Sequence, residues 1–263
     1  MKTIIILLFL TINFFCYSQT LTIEYEKTLN TKEALLSKTE MFRMIFNKNE
    51  SIFYGISNDS AKYEHNKFIE KVKKIGNVRL VKMDDNTFDY SFNEMLYKNY
   101  SKDTLFFNDL IMNKMVNIGE KLNKLNWTIN NNVKKIILEK NCISATTNFR
   151  GRKYIAYFST DFQGISAGPW KFDGLPGVIL SVNSVDGYVS FEALKISVEN
   201  NETIINNPFK KTKNISWKVF KKQYKNTLLN ALKRMKTQSG QGESGSIEIT
   251  DKIEDLGIKK LKF

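Results

Sequence analysis

The sequence predicts a mainly β protein in which a largely antiparallel sheet packs against a C-terminal amphipathic helix. Two observations predict this fold class. Short runs rich in Ile, Phe, Tyr and Val alternate with turn residues along most of the 263 residues, which is typical of strands joined by short turns. One long stretch near the C-terminus instead repeats its apolar residues at helical spacing.

The N-terminal part is predicted to contain three strands, a helix and then further short strands. Residues 60–75 are predicted to be helical, because Ser60 can cap a helix and apolar residues then recur three and four apart. Short strands are expected again over 84–130, where 88–92 alternates apolar and polar residues. The first three predicted strands are 22–25, 41–47 and 51–56.

The clearest strands fall between residues 133 and 198. Turn residues at Arg150-Gly151 and Asp186-Gly187 separate the apolar runs, and the second pair is typical of a tight hairpin. Successive strands joined by such short turns pair in antiparallel fashion. The predicted strands in this block are 136–138, 143–149, 153–159, 177–182 and 188–196.

Residues 214–236 are predicted to form the amphipathic helix. Its apolar stripe would pack on the sheet with lysines in water, although a basic helix of this kind can also lie on an anionic membrane. Residues 237–246 have the composition of a flexible linker. The stripe consists of Phe220, Tyr224, Leu228, Ala231 and Met235.

The N-terminus has the pattern of a secretory signal peptide. Lys2 precedes an apolar run over 4–15, which is too short for a membrane span of about 20 residues. Cleavage after Ser18 would leave Gln19 as the first residue. Lipidation of Cys16 is the alternative.

The chain therefore divides into a signal peptide (1–18), one β-rich domain (19–238) and a linker with a short basic tail (239–263). We expect an exported protein of the periplasm or the outer-membrane periphery.

The net charge of +13 allows binding to anionic partners. Export makes nucleic acid an improbable partner, and the abundance of Lys, Asn and Ile together indicates an AT-rich coding sequence that accounts for part of the charge. No apolar stretch after the signal peptide is long enough for a membrane helix.

Few residues suggest catalytic or metal chemistry. His65 is the single histidine, and no cluster of metal ligands or cofactor motif is present, so we expect neither a metal nor a cofactor. The residues 164–168 match G-x-S-x-G, but Pro169 follows directly and no histidine lies downstream. Cys142, the one cysteine after the signal peptide, is either a nucleophile or a small buried apolar residue.

The segment 168–180, GPWKFDGLPGVIL, is the most unusual in the chain. Its prolines and glycines hold the backbone on a particular irregular path. Two interpretations remain open: a rigid crossover that plugs one end of the sheet with its aromatic residues buried, or a loop that contacts a ligand. The candidate ligand-binding residues are Trp170, Phe172, Leu175 and Pro176, with Arg150 and Arg152 as polar anchors.

This segment closely resembles the motif that gives the GLPGLI family of exported Bacteroidota proteins its name, with Val178 in place of one Leu. The resemblance extends upstream through Cys142, Ala145, Gly151 and Arg152. It implies a periplasmic or outer-membrane-associated protein, of a family often regarded as accessory to TonB-dependent receptors. The layout is also similar to the half-open antiparallel barrel of periplasmic lipoprotein carriers, whose curved sheet wraps helices.

Three functional hypotheses follow. The first is a non-catalytic binding or carrier protein for an apolar or peptide-like ligand, held by the curved sheet and gated by the loop 168–177. The second is an interaction protein that docks on an outer-membrane receptor through the helix 214–236 and the tail. The third is a thiol-dependent or peptidase-like enzyme that uses Cys142.

Overall fold

The computed structural model describes nine segments of the chain. The predicted signal peptide, the predicted helix 60–75 with His65, the alternating run 88–92 and residues 239–245 of the predicted linker 237–246 lie outside the described residues. The described segments are 19–31, 36–56, 94–112, 114–162, 164–201, 203–238, 246–247, 252–258 and 261–262.

Twelve strands of the described part form one large curved sheet, and a C-terminal helix follows them. The mainly β fold class with a C-terminal helix is therefore confirmed. The elements are β1 (Thr20–Thr31), β2 (Leu36–Phe46), β3 (Glu50–Gly55), β4 (Met95–Asn99), β5 (Thr104–Ile111), β6 (Lys114–Lys121), β7 (Thr128–Ile137), β8 (Lys140–Phe149), β9 (Arg152–Ser159), β10 (Val178–Ser184), β11 (Val189–Glu199), β12 (Asn214–Ser216), α1 (Trp217–Gln238), β13 (Ser246–Ile247) and β14 (Leu261–Lys262).

The sheet consists of two antiparallel meanders joined through the N-terminal strand. Strands β1 to β6 follow one another in space, as do β7 to β11, and β1 pairs with β11 to connect the two halves. The short β12 pairs with β6 in parallel, and the other named strand pairs of the described part are antiparallel. The sheet is open, with β12 at one edge and β7 at the other.

Alternating burial along the central strands places the core on one face of the sheet. Leu21, Ile23 and Tyr25 of β1 are fully buried, whereas Thr22 and Glu24 between them lie on the other face and are half-buried. Because side chains of a strand point alternately to its two faces, this period of two follows directly from the local sequence.

The helix α1 packs over β5, β6 and β12 at one end of the sheet. Phe220, Tyr224 and Leu228 of the predicted stripe belong to the core, but Met235 at its far end is 42% exposed. The predicted helix start at 214 is wrong, because 214–216 pairs with β6 as β12. Ser216 then acts as the helix cap, its Oγ accepting a hydrogen bond from the Val219 amide at 3.3 Å.

Candidate functional site

The connection between β9 and β10 turns into the core, and we call residues 167–177 the plug loop. At its start Ala167 forms an isolated parallel bridge with Val178. At its end the backbone of Gly177 passes so close to the Ser159 carbonyl oxygen that any Cβ there would clash. The positions of proline and glycine thus hold this loop against the sheet at both ends.

The aromatic and apolar side chains of the plug loop lie in the core. Trp170 and Leu175 are buried, Phe172 is fully buried, and Pro176 is exposed. The ring of Phe172 lies 4.8 Å from that of Tyr154 and 5.4 Å from that of Trp170, centroid to centroid. The four predicted ligand-binding residues of the loop therefore do not share one accessible surface, and this arrangement matches the rigid-crossover interpretation.

One buried ion pair connects the plug loop to the N-terminal meander, which consists of β1 to β6. The Lys98 Nζ lies 2.7 Å from Asp173 Oδ2, and the Tyr100 hydroxyl donates to Asp173 Oδ1 at 3.3 Å. Burial raises the pKa of Asp173 and lowers the pKa of Lys98, and the ion pair opposes both shifts. The indole of Trp127 donates to the Asp173 carbonyl oxygen at 2.7 Å, which ties the same residue to the chain before β7.

A second buried cation, Lys171, is the most unusual residue of the loop. Its ammonium group is fully buried and lies 2.9 and 2.8 Å from the two carboxylate oxygens of Glu254, and 3.6 Å from Glu120. It also lies 3.4 Å from the ring centroid of Phe107. Burial lowers the pKa of Lys171, and the charge of Glu254 opposes that shift.

Arg150 brings a second cation to the same carboxylate. It lies in the two-residue turn between β8 and β9, where its φ is +42° and that of Gly151 is +86°. Its guanidinium donates to Glu254 Oε1 and, at 2.6 Å, to Glu120 Oε2. The same group stacks over the Trp217 ring, 4.3 Å from its centroid. We call Arg150, Lys171, Glu120 and the Trp217 ring the cation pocket.

The carboxylate in the cation pocket comes from the C-terminal tail, whose residues 252–258 we call the tail segment. Arg152 donates through Nε to the carbonyl oxygen of Ile253 at 2.9 Å, and the Asp255 amide donates to the Arg150 carbonyl oxygen at 2.9 Å. Leu256 is buried in the main core cluster. The sequence predicts a short basic tail after a linker, and in the structure the tail segment lies against the core.

Two buried polar atoms in or beside the cation pocket have no hydrogen-bond partner. Among the described residues, Glu120 Oε1 and Asn123 Nδ2 are buried and have no hydrogen-bond partner. Asn123 reaches the pocket through its Oδ1, which accepts from Arg150 at 3.3 Å. Buried polar atoms of this kind are uncommon and mark the pocket as a place where further hydrogen bonds can form.

Sequence reasoning identified Arg150 and Arg152 but not Lys171 or Glu254. One local signal for Lys171 was available, because a lysine between Trp170 and Phe172 in a Pro/Gly-rich segment is improbable on an exposed loop. No local signal marks Glu254, since its partner Lys171 lies 83 residues away in the chain.

The thiol of Cys142 is in a poor position for nucleophilic chemistry. It is buried on β8, and burial raises its pKa to about 11, whereas reactive thiols have a lowered pKa. The described residues contain no group of three or more His, Cys, Asp or Glu placed to hold a metal ion. No helix in the described part of the chain is long and apolar enough to cross a membrane.

Two concavities on the surface of the described part have polar linings. One, of about 290 Å³, lies on β1, β2 and β11; the other, of about 440 Å³, lies between the turns after β2 and β4 and residues 203–205. Charged residues line the first: Glu24, Arg43, Lys195 and Glu199. Neither involves the plug loop or the cation pocket.

Comparison with known proteins shows the fold and no family. No family model matches, and no curated protein matches. A structure of PNGF-II is similar over 80% of this chain with a TM-score of 0.50 and 14% identity, and the match covers 34% of PNGF-II. An outer membrane lipoprotein-sorting protein domain from Vibrio parahaemolyticus aligns with 73% of this chain, and the alignment covers 89% of that domain. Its TM-score of 0.31 and its 6% identity are too low for any inference. The chain thus spans about a third of PNGF-II and resembles that part of it in fold alone.

Proposed function

We propose that this chain is an exported, non-catalytic binding module that holds an extended, peptide-like ligand. The observation that carries the proposal is the way the turn between β8 and β9 holds the tail segment. Arg152 and the backbone of Arg150 bond to main-chain groups of residues 252, 253 and 255. Main-chain contacts of this kind are how proteins bind extended peptides without regard to most of their side chains.

The burial of the apolar side chains of the plug loop favours a peptide-like ligand over an apolar one. Trp170, Phe172 and Leu175 pack into the core, and their burial favours a ligand that is held by polar groups. Arg150, Arg152 and Lys171 bond to the tail segment, although its Leu256 also packs into the core. Export rests on the pattern of residues 1–18 and on the resemblance to the GLPGLI family, which together favour the periplasm.

Mass spectrometry of the purified protein tests the proposal. The chain starting at Gln19 is expressed with a periplasmic export signal, purified gently, and compared under native and denaturing conditions. We expect a population with added mass that is released on denaturation and sequences as peptide. Arg152→Leu removes the side-chain contacts to the main chain and lowers the occupied fraction, whereas Lys153→Leu, exposed on the same strand, leaves it unchanged. A released lipid, or equal occupancy in both variants, contradicts the proposal.

A second candidate function is docking on an outer-membrane receptor or complex. The observation that favours it is the exposed basic face of α1, formed by Lys218, Lys222, Lys225, Lys233 and Lys236. A cationic surface of this kind attracts acidic partners at low ionic strength. Reversal of Lys218, Lys222 and Lys225 to Glu is expected to abolish recovery of envelope proteins in a pull-down. Unchanged recovery contradicts docking through this face.

A further inference from the structure

We propose that the cation pocket recognises an acidic side chain of the peptide ligand, and that the tail segment occupies this site as an internal substitute for that ligand. The inference rests on the proposed function and names the class of peptide: an acidic residue followed two positions later by an apolar one. In this chain Glu254 and Leu256 take those two places.

The charge of the pocket selects a carboxylate. Glu254 is shared by both cations, since Lys171 contacts both of its oxygens and Arg150 contacts Oε1. Its side chain is 7% exposed. Lys171 is fully buried and Arg150 is half-buried, and only Glu120 lies between them, so the site has an excess of positive charge that is costly without a partner. A ligand that displaces the tail segment must therefore supply a carboxylate at this point.

The contacts around the pocket hold the tail segment in one register. Asp255 is exposed between buried Glu254 and Leu256, and the backbone bends at Ile253, Glu254 and Gly257, so the two buried side chains set the position of the segment. At the turn, a Cβ on Gly151 would come within 2.5 Å of the Asp255 Cβ. Glycine at this position is what allows the Asp255 side chain to lie so close to the turn.

The tail segment is joined to α1 by a stretch of chain that includes residues 239–245, so it stays attached near its own site. Residues 239–245 read SGQGESG, a composition typical of flexible linkers. Such a tether gives the tail segment an effective concentration on the order of millimolar at its own site. A free peptide must compete against that concentration, so the site is closed to weak ligands while the tether is intact.

Cleavage of the tether tests the inference on the full chain. A protease site is introduced within 239–245, the purified protein is cut, and native mass spectrometry follows the tail. A labelled peptide of residues 248–263 is then added. We expect it to replace the cut tail, and the same peptide with Glu254→Gln to bind roughly 100-fold more weakly, because it leaves the pocket without a carboxylate. The matched peptide with Asp255→Asn, altered at the exposed neighbour, is expected to bind within about twofold of the original.

Uncut protein provides a second measurement that does not depend on the stability of the cut form. Excess acidic peptide is expected to accelerate hydrogen exchange of the amides at 252–256, whereas the peptide with Glu254→Gln is expected to leave that exchange unchanged. Equal exchange with both peptides overturns the inference, as does a cut tail that no peptide replaces. Co-purified peptides without acidic residues overturn this inference while leaving the proposed binding function standing.

Discussion

At the scale of single residues, the defining feature is a pair of fully buried lysines, Lys98 on β4 and Lys171 in the plug loop. Lys98 and Lys171 each have a carboxylate within 2.9 Å, Asp173 for one and Glu254 for the other. Taking an ammonium group out of water is costly, and only a close counter-charge with hydrogen bonds offsets that cost. Each lysine therefore makes the fold depend on one particular distant acid.

Substitution of Glu254 measures that dependence. Glu254→Gln leaves Lys171 with Glu120 at 3.6 Å as its remaining carboxylate, and we expect the free energy of unfolding to fall by about 3 kcal/mol. Asp255→Asn alters an exposed neighbour and is expected to change it by less than about 0.5 kcal/mol. Urea denaturation of both variants gives the comparison. Equal midpoints would show that the tail segment does not stabilise the core.

Labelling of Cys142 distinguishes a structural cysteine from a nucleophile. Burial raises the pKa of this thiol to about 11 from an ordinary value of 9.0, so at pH 8 its thiolate fraction falls about 100-fold relative to an unperturbed thiol. In the chain starting at Gln19 we expect labelling by a disulfide reagent to be slower by at least that factor than in the denatured chain. The rate should still be rising with pH at pH 10. Rapid labelling at neutral pH would revive the thiol-enzyme hypothesis.

At the scale of elements, the plug loop behaves as a part of the core in spite of its irregular backbone. Its residues carry rings that contact β8, β9 and β11, through Phe149, Tyr154 and Phe191. The edge strand β7, in contrast, is exposed along nine of its ten residues. Burial in this protein therefore does not follow secondary structure: an irregular loop is more buried than a regular strand.

Truncation of the loop's central ring tests its role in packing. Phe172→Ala removes a fully buried ring, and we expect a loss of about 3–5 kcal/mol in the free energy of unfolding. Pro176→Ala, four residues later and exposed, serves as the control and is expected to cost under about 1 kcal/mol. Thermal and urea denaturation measure both. A stable Phe172→Ala variant that has lost peptide binding would instead support a ligand-contacting loop.

At the scale of the whole molecule, β1 holds two halves of the sheet together. It pairs with β2 of its own meander and with β11, about 170 residues away in the chain. Ile23 lies at the centre of this junction, opposite Met44 on β2 and Ile196 on β11, and is fully buried. The two meanders therefore share a core through one strand, and we expect them to unfold together.

Hydrogen exchange of an Ile23→Ala variant tests this cooperation. A large-to-small change at a buried site costs about 2–5 kcal/mol, and we expect faster exchange of the amides in both β5 and β9. Thr22→Ala, on the opposite face of the same strand, serves as the control. Faster exchange confined to one meander would show that the halves are independent units.

Local sequence determines most of the elements because hydrophobic periodicity is a property of neighbouring residues. The predicted strands at 143–149 and 153–159 agree with β8 and β9 within a few residues, and the helix 214–236 overlaps most of α1. The start of that helix was misplaced because 214–216 pairs with β6, and a sheet partner about 100 residues away leaves no trace in the local pattern. The turn at 150–151 points to Arg150, but no local pattern points to the carboxylates that pair with it.

By itself, then, the sequence determined the class of fold, the order of most elements and the rigid path of the plug loop, because periodicity, proline and glycine act locally. Only the tertiary structure decided that the loop turns inward and that Lys171 meets Glu254, 83 residues later. The physical reason is that a buried charge is tolerated only where a distant chain segment brings its counter-charge. That pairing depends on how the whole sheet folds and not on any single stretch of residues.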